Sequence, residues 1–249
     1  MFFANVNYSV GGIVWYRKEG ARKNTVKKGV FMNKIPKTVD LFDISHSIAE
    51  DMLGKCEYPF AAILKIGDFI EDIAARLDRS YREIEKGVFV GEGTKIGKSV
   101  TLIPPLIIGR NADIRSSALL RGRVIVGDGA VIGNSSEVKN SIILDEGKLP
   151  HYNYAGDSII GYRAHLGAGA LCSNLRLDKR NVLIGNERLD TGQKKLGAMI
   201  GDYAEVGCGA VLSPGAIIGR EAIIYPLTHV RGVLPERCIF DGEAIRDRI

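Results

Sequence analysis

A parallel β-helix of triangular cross-section, mainly β and fronted by a small N-terminal helical cap, is the fold that this sequence predicts. Three observations predict it. An aliphatic residue recurs every six positions at Val90, Ile96, Leu102, Ile108, Ile114, Leu120, Val126, Ile132, Val138 and Leu144, ten places in unbroken register. Glycine follows at Gly91, Gly97, Gly109, Gly127 and Gly133, where the backbone must turn a corner and a Cβ is often costly. The β-branched residues come in short pulses, never in a long apolar run, and aromatics make up only 7% of the chain. A strand alternates with period two, so a period of six means short strands joined by turns, each hexad supplying one side of a coil.

The elements follow in chain order. Residues 1–39 read as a basic leader, disordered or foreign to the native domain, which carries the only tryptophan, Trp15. The net charge of +5 sits wholly in residues 1–31, where Arg17, Lys18, Arg22, Lys23, Lys27 and Lys28 face Glu19 alone. The other 218 residues balance 28 basic against 28 acidic side chains, so the body carries no signal for nucleic acid. The leader's basic cluster follows its short apolar stretch, the reverse of a secretion signal, and no run approaches the roughly 20 apolar residues of a membrane span. Cys56, Cys172, Cys208 and Cys238 are widely spaced with no CxxC pair, which argues against a disulfide framework or a zinc knuckle and for a reducing, cytoplasmic setting.

Residues 40–86 change period. Leu41, Ile44, Ile48 and Met52 fall at helical spacing, as do Ile66, Ile70, Ile73 and Leu77, which predicts two amphipathic helices separated by residues 54–59. Their expected place is the open end of the first coil, where unpaired backbone groups need cover. The β-helix then occupies 87–235. Its register resumes at Ile160, Leu166 and Cys172, and again at Ile200, Val206, Leu212, Ile218, Ile224 and Val230, which makes 19 hexads and roughly six coils. Residues 145–159 and 173–199 read as loops that interrupt it, and function is sought there, because ladders leave only loops free to vary. Residues 236–249 form a tail.

The first interruption reads Lys148-Leu149-Pro150-His151-Tyr152-Asn153-Tyr154-Ala155-Gly156-Asp157 and leads into Ile160-Gly161. Together with the hexads it resembles the acetyltransferase domain of the bifunctional N-acetylglucosamine-1-phosphate uridyltransferases, a hexapeptide-repeat acyltransferase family, over residues 88–233. That resemblance implies a left-handed coil and a homotrimer of parallel prisms with substrates bound between them. It also implies acetyl-CoA as co-substrate, no metal for the transfer, and glucosamine 1-phosphate as acceptor in UDP-N-acetylglucosamine synthesis. Position by position, His151 matches the family's loop histidine, its base. Arg121 and Lys139 match the arginine and lysine that bind the sugar phosphate, Tyr154 and Asn174 match a tyrosine and an asparagine of the sugar pocket, and Arg180 falls where the family has a lysine. His165 stands in place of an asparagine and Cys208 in place of a serine at the CoA groove; Lys194 and Lys195 lie where they could meet CoA phosphates. In the tail, Arg237, Arg246 and Arg248 offer no clear match to the family's CoA-binding arginine.

The residue chemistry agrees. An amine attacks a thioester only with its lone pair free, a task for an imidazole, whose ordinary pKa is about 6.5. The tetrahedral oxyanion needs a donor, for which a backbone N–H at Gly167-Ala168-Gly169 is a candidate. One arginine with one lysine is a common answer to a sugar phosphate, the first bidentate and the second a point charge. Nothing before Val88 has the glycine-rich loop or the length of a nucleotide-binding domain, which argues against uridyl transfer by these residues. The four histidines are at least 14 residues apart, unlike the paired histidines of zinc-dependent carbonic anhydrases with this repeat. Two alternatives stay open: a trimeric scaffold or sugar-phosphate sensor partnering a separate nucleotidyltransferase, and a transferase for another amino sugar.

Overall fold

The computed structural model describes residues 27–28 and 34–248. The rest of the expected leader lies outside the described residues, and Lys27–Lys28 is a short strand paired antiparallel with Ala244 and Ile245. From Ile108 to Val138 the aliphatic residue of each hexad is buried in one continuous core, in which Ile108, Ile114, Leu120, Val126, Ile132 and Val138 stack on the equivalent residues of the next coil. Side chains before and after each inward residue therefore point outward. The prism has three faces. The first runs from Lys95–Ile96 to Cys238–Phe240, eight strands stacked in parallel, so there are eight coils where the hexad count suggested about six.

The missing coils lie in two stretches misread as irregular. Residues 145–159 are not a loop: Lys148–His151 pairs with Val131–Asn134, and Tyr154–Gly156 pairs with both Glu137–Ile143 and Leu171–Cys172. The repeat looked broken because two sides are one residue short. The inward residue after Val138 is Ile143 and not Leu144, and that after Ala155 is Ile160. Both short sides turn their corner through a residue in the left-handed region, Asn140 at φ 46° and Asp157 at φ 50°. The tail is likewise structural. Phe240 keeps the register, and Ala244–Asp247 folds back antiparallel on Cys238–Phe240 to close the last coil, with Ile245 in the core.

The helical segment is real but does not sit on the first coil. It comprises Thr38–Leu41, Glu50–Gly54 and Ile66–Ala74, with one 3₁₀ turn between the first two and two between the last two, and it packs along the third face. That face is apolar outside as well as inside: Ile107, Ile125, Ile142, Ile159, Met199, Ile217 and Val233 point out of the prism and are fully buried against Leu41, Phe42, Leu53, Ile63, Ile66 and Ile70. Burying an apolar face is worth roughly 25 cal/mol per Å², far more than screening one coil end. Polar ties fix the seam. The fully buried Asp202 accepts hydrogen bonds from the backbone N–H of Asp43 (2.6 Å) and Tyr162 (2.9 Å), and His46 stacks on Tyr162 with ring centroids 3.6 Å apart.

Residues 173–199 do leave the coil. They form a hairpin, Leu183–Ile184 against Leu189–Asp190, whose Val182, Ile184 and Leu196 join the cluster on the third face. The side-chain amide of Gln193 donates to the carbonyl of Phe60 at 2.9 Å, which ties the excursion to the helical segment. No helix among the described residues is long and apolar enough to cross a membrane.

Candidate functional site

The second face carries most of the residues singled out by sequence. Its strands include Leu119–Val126, Glu137–Ile143, Tyr154–Gly156 and Leu171–Cys172, hydrogen-bonded in that order. Register places Arg121 beside Lys139 and Lys139 beside Gly156, with Glu137 beside Tyr154. Because Leu120, Val138 and Ala155 point inward, these neighbours form an outward ladder with strands about 4.8 Å apart.

The centre of the cluster is Asp157, 4% exposed. Its carboxylate accepts from Asn140 Nδ2 (2.7 Å), Asn174 Nδ2 (2.5 Å) and Lys139 Nζ (3.3 Å). A buried carboxylate is tolerated only when hydrogen-bonded and charge-balanced, and here three donors supply both conditions. Tyr154 closes the cluster from above. Its ring lies over Gly156, where a Cβ would stand 2.6 Å from Asn174 Nδ2 and closer still to the phenol oxygen, so only glycine leaves room. Burial, and then the nearby Glu137 and Asp157 carboxylates, raise the Tyr154 phenol above its ordinary range and keep it a hydrogen-bond donor. Arg121, one strand away, donates from Nε to Glu137 Oε1 at 2.7 Å.

His151 sits at the corner where the first face becomes the second, three residues before Tyr154. The corner positions stack coil on coil as Asn134, His151, Ala168 and Cys208, because Tyr152 N–H donates to the carbonyl of Asn134, Gly169 N–H to that of His151 and Gly209 N–H to that of Ala168. The His151 side chain is exposed. Its backbone is pinned by a bond from its own N–H to Asn153 Oδ1 (3.0 Å). Of the three candidate oxyanion donors, Gly167 N–H is taken by Val206 and Gly169 N–H by His151, which leaves Ala168 N–H, one coil from His151. Cys208 is exposed one coil further on.

The structure thus brings Lys139, Tyr154 and Asn174 into contact around Asp157, sets Arg121 beside them, and stacks His151, Ala168 and Cys208 on the adjoining corner. It does not bring the other three there. His165 lies on the first face, opposite Lys148, with its Nδ1 2.9 Å from Glu205 Oε2. Arg180 and Lys195 belong to the excursion, Lys195 bridging antiparallel to Leu175. In the tail, Arg237 pairs with Glu221 (2.9 Å), Arg246 with Asp241 (2.6 Å), and Arg248 donates to the Glu221 carbonyl. Sequence reasoning passed over Asp157, Asn140 and Glu137. Asp157 and Asn140 each had a signal, since they follow Gly156 and Lys139 directly; Glu137 had none.

Comparison with known proteins gives these rungs a context. A family model described as the GMPPB C-terminal domain matches residues 102–192, which hold Arg121, Lys139, His151, Tyr154, His165, Asn174 and Arg180. The bifunctional sugar-1-phosphate nucleotidylyltransferase/acetyltransferase of Sulfurisphaera tokodaii is 39% identical over 85 residues, 33% of this chain and 21% of that protein. The chain resembles the acetyltransferase domain of such bifunctional enzymes. The bifunctional protein GlmU of Methanococcus maripaludis is 35% identical over 82 residues, 32% of this chain and 20% of that protein. The chain therefore spans about a fifth of the length of the curated relatives it matches. Among solved structures, the polySia-specific acetyltransferase NeuO aligns at 14% identity and a TM-score of 0.38, over 66% of this chain and 88% of that one.

Proposed function

We propose that the chain is an acetyl-CoA-dependent N-acetyltransferase for an amino-sugar phosphate, glucosamine 1-phosphate in the first instance, acting in the cytoplasmic synthesis of UDP-N-acetylglucosamine. One observation carries the reading: a single buried carboxylate, Asp157, gathers Lys139 and Asn174 beneath Tyr154 on the face whose corner holds His151. The phosphate is met by Lys139 and Arg121, and the sugar by Tyr154 and Asn174. The imidazole of His151 takes a proton from the sugar ammonium group, and the freed nitrogen attacks the thioester carbonyl. Ala168 N–H holds the oxyanion; the C–S bond then breaks, the amide forms as its nitrogen gives up a second proton, and the departing sulfur takes up that proton so that CoA leaves as the thiol. Cys208 borders the path of CoA, and Lys195 reaches its phosphates. Three prisms packed side by side complete each site, with the exposed end of the excursion, where Leu177 is 98% exposed, reaching the neighbouring copy. A nucleotidyltransferase activity consumes the product.

The test is CoA release, followed with a thiol reagent, from acetyl-CoA and glucosamine 1-phosphate. Turnover supports the proposal. A folded protein that binds acetyl-CoA without turnover takes another amino sugar, and one that binds neither CoA nor acetyl-CoA is a scaffold or sugar-phosphate sensor.

Asp157→Asn supplies a second expectation. Asparagine tolerates the left-handed backbone of this position, but its amide cannot balance the charge of Lys139 or accept from three donors. The KM for the sugar phosphate rises about tenfold, the loss of one charge-assisted hydrogen bond, with a smaller change in kcat. Steady-state kinetics at varied acceptor concentration measures both.

A further inference from the structure

The acceptor cluster holds little uncompensated charge, since Arg121 is paired with Glu137 and Lys139 with Asp157. The body as a whole is neutral. Against that background the excursion is anomalous. A solvent-open concavity of about 560 Å³ is lined by Arg176, Lys179, Arg180, Arg188 and Lys194, with Asp190 the one carboxylate on its wall. Arg176 is held by Asp178 at 2.5 Å, and Asp190 is turned to its own turn, accepting from Gly192 N–H at 2.8 Å. Lys179, Arg180, Arg188 and Lys194 form no ion pair among the described residues. Even with both carboxylates counted, three positive charges remain around one concavity.

Like charges held this close repel one another, so the arrangement is stable only with mobile counter-ions or a bound polyanion. The scaffold fixes the backbone that carries these exposed side chains. The Leu183–Ile184 and Leu189–Asp190 hairpin backs the cavity, Val182 N–H donates to Gln193 at 2.8 Å, Thr191 Oγ1 donates back to Val182 at 2.8 Å, and Val182 and Ile184 are anchored in the third-face cluster. The volume falls in the range of small-molecule sites, larger than a single phosphate needs. Guanidinium forks and ammonium groups together are the donor set for phosphate oxygens, and Leu183 adds an apolar wall.

We infer that this cavity is a binding site for a di- or polyphosphate group of the kind a nucleotide carries, held mainly by Lys179, Arg188 and Lys194. The site shares no lining residue with the Asp157 cluster and does not depend on the acetyl-transfer reading. Two sources share the chemistry, the phosphorylated adenosine diphosphate end of CoA and a nucleoside diphosphate.

Isothermal titration of the full chain with inorganic pyrophosphate tests the inference without any acetyl transfer. Pyrophosphate binds the wild type, and its affinity falls as salt is raised. The double variant Lys179→Ala/Arg188→Ala weakens it about tenfold or more, while Lys179→Arg retains it; thermal unfolding shows that both variants fold. CoA, dephospho-CoA and UDP, titrated in parallel, separate the sources: a loss for CoA greater than for dephospho-CoA assigns the co-substrate's 3′-phosphate, and a loss for UDP alone assigns a nucleoside diphosphate. Pyrophosphate binding that is absent from the wild type, or equal in the double variant, overturns the inference.

Discussion

With His151 as the proposed base, its replacement by alanine is expected to lower kcat by about 10²–10⁴, the loss that removal of a general base produces. The effect is expected on kcat, with KM for the acceptor nearly unchanged, because Lys139, Tyr154 and Asn174, the proposed acceptor contacts, gather around Asp157 and make no bond to His151. Loss of fold is not a competing explanation. The two hydrogen bonds that fix residue 151 are made by its backbone, its N–H to Asn153 Oδ1 and its carbonyl from Gly169 N–H, and alanine keeps both. The side chain is exposed and takes no part in the core. CoA release at saturating acetyl-CoA, with a thermal unfolding midpoint matching the wild type, measures the loss. Full activity in the folded variant would remove His151 from the mechanism and leave an exposed corner histidine.

Gly133→Ala acts on the fold itself. Register sets Ile132 beside Leu149 and Asn134 beside His151, which puts Gly133 opposite Pro150. A Cβ built at Gly133 would lie 1.5 Å from the Pro150 carbonyl oxygen and 1.8 Å from its carbonyl carbon. No rotamer change relieves a clash with backbone, so two coils must separate at the corner that carries His151. Ordinary overpacking costs 1–3 kcal/mol; a backbone collision inside a continuous ladder is expected to exceed about 3 kcal/mol. Gly169→Ala is the control. Its Cβ meets nothing within 4 Å, and the cost is that of placing alanine at a φ of +70°, about 1 kcal/mol. Urea unfolding of the two variants should therefore show a large fall in midpoint for the first and a small one for the second.

Much of this geometry was legible. Between Leu102 and Cys172 each coil takes 17 or 18 residues, which brings Arg121, Lys139 and Gly156 into register and sets Asp157 level with Asn140 and Asn174 at the adjoining corner. The place of the helices was also written in the chain, though it went unread: Ile107-Ile108, Ile125-Val126, Ile142-Ile143, Ile159-Ile160, Met199-Ile200, Ile217-Ile218 and Val233-Leu234 are apolar at both positions, one strand in three, which marks a face buried on both sides. The five-residue sides were not legible from a count of six, because a corner that loses one residue preserves the inward position by a local left-handed turn at Asn140 or Asp157.

The sequence by itself determined the prism, since a repeating hexad places its aliphatic residue inward whatever surrounds it. It also determined that His151, Tyr154, Lys139 and Arg121 lie on neighbouring rungs. Only the tertiary structure decided which of these charges are spent. Lys139 is held by a carboxylate that burial leaves 4% exposed, Arg121 is paired to Glu137, and His165 is turned to Glu205 on another face. Side-chain direction, burial and the partner within hydrogen-bond reach set the chemistry of an ionisable group, and those are properties of the assembled coils.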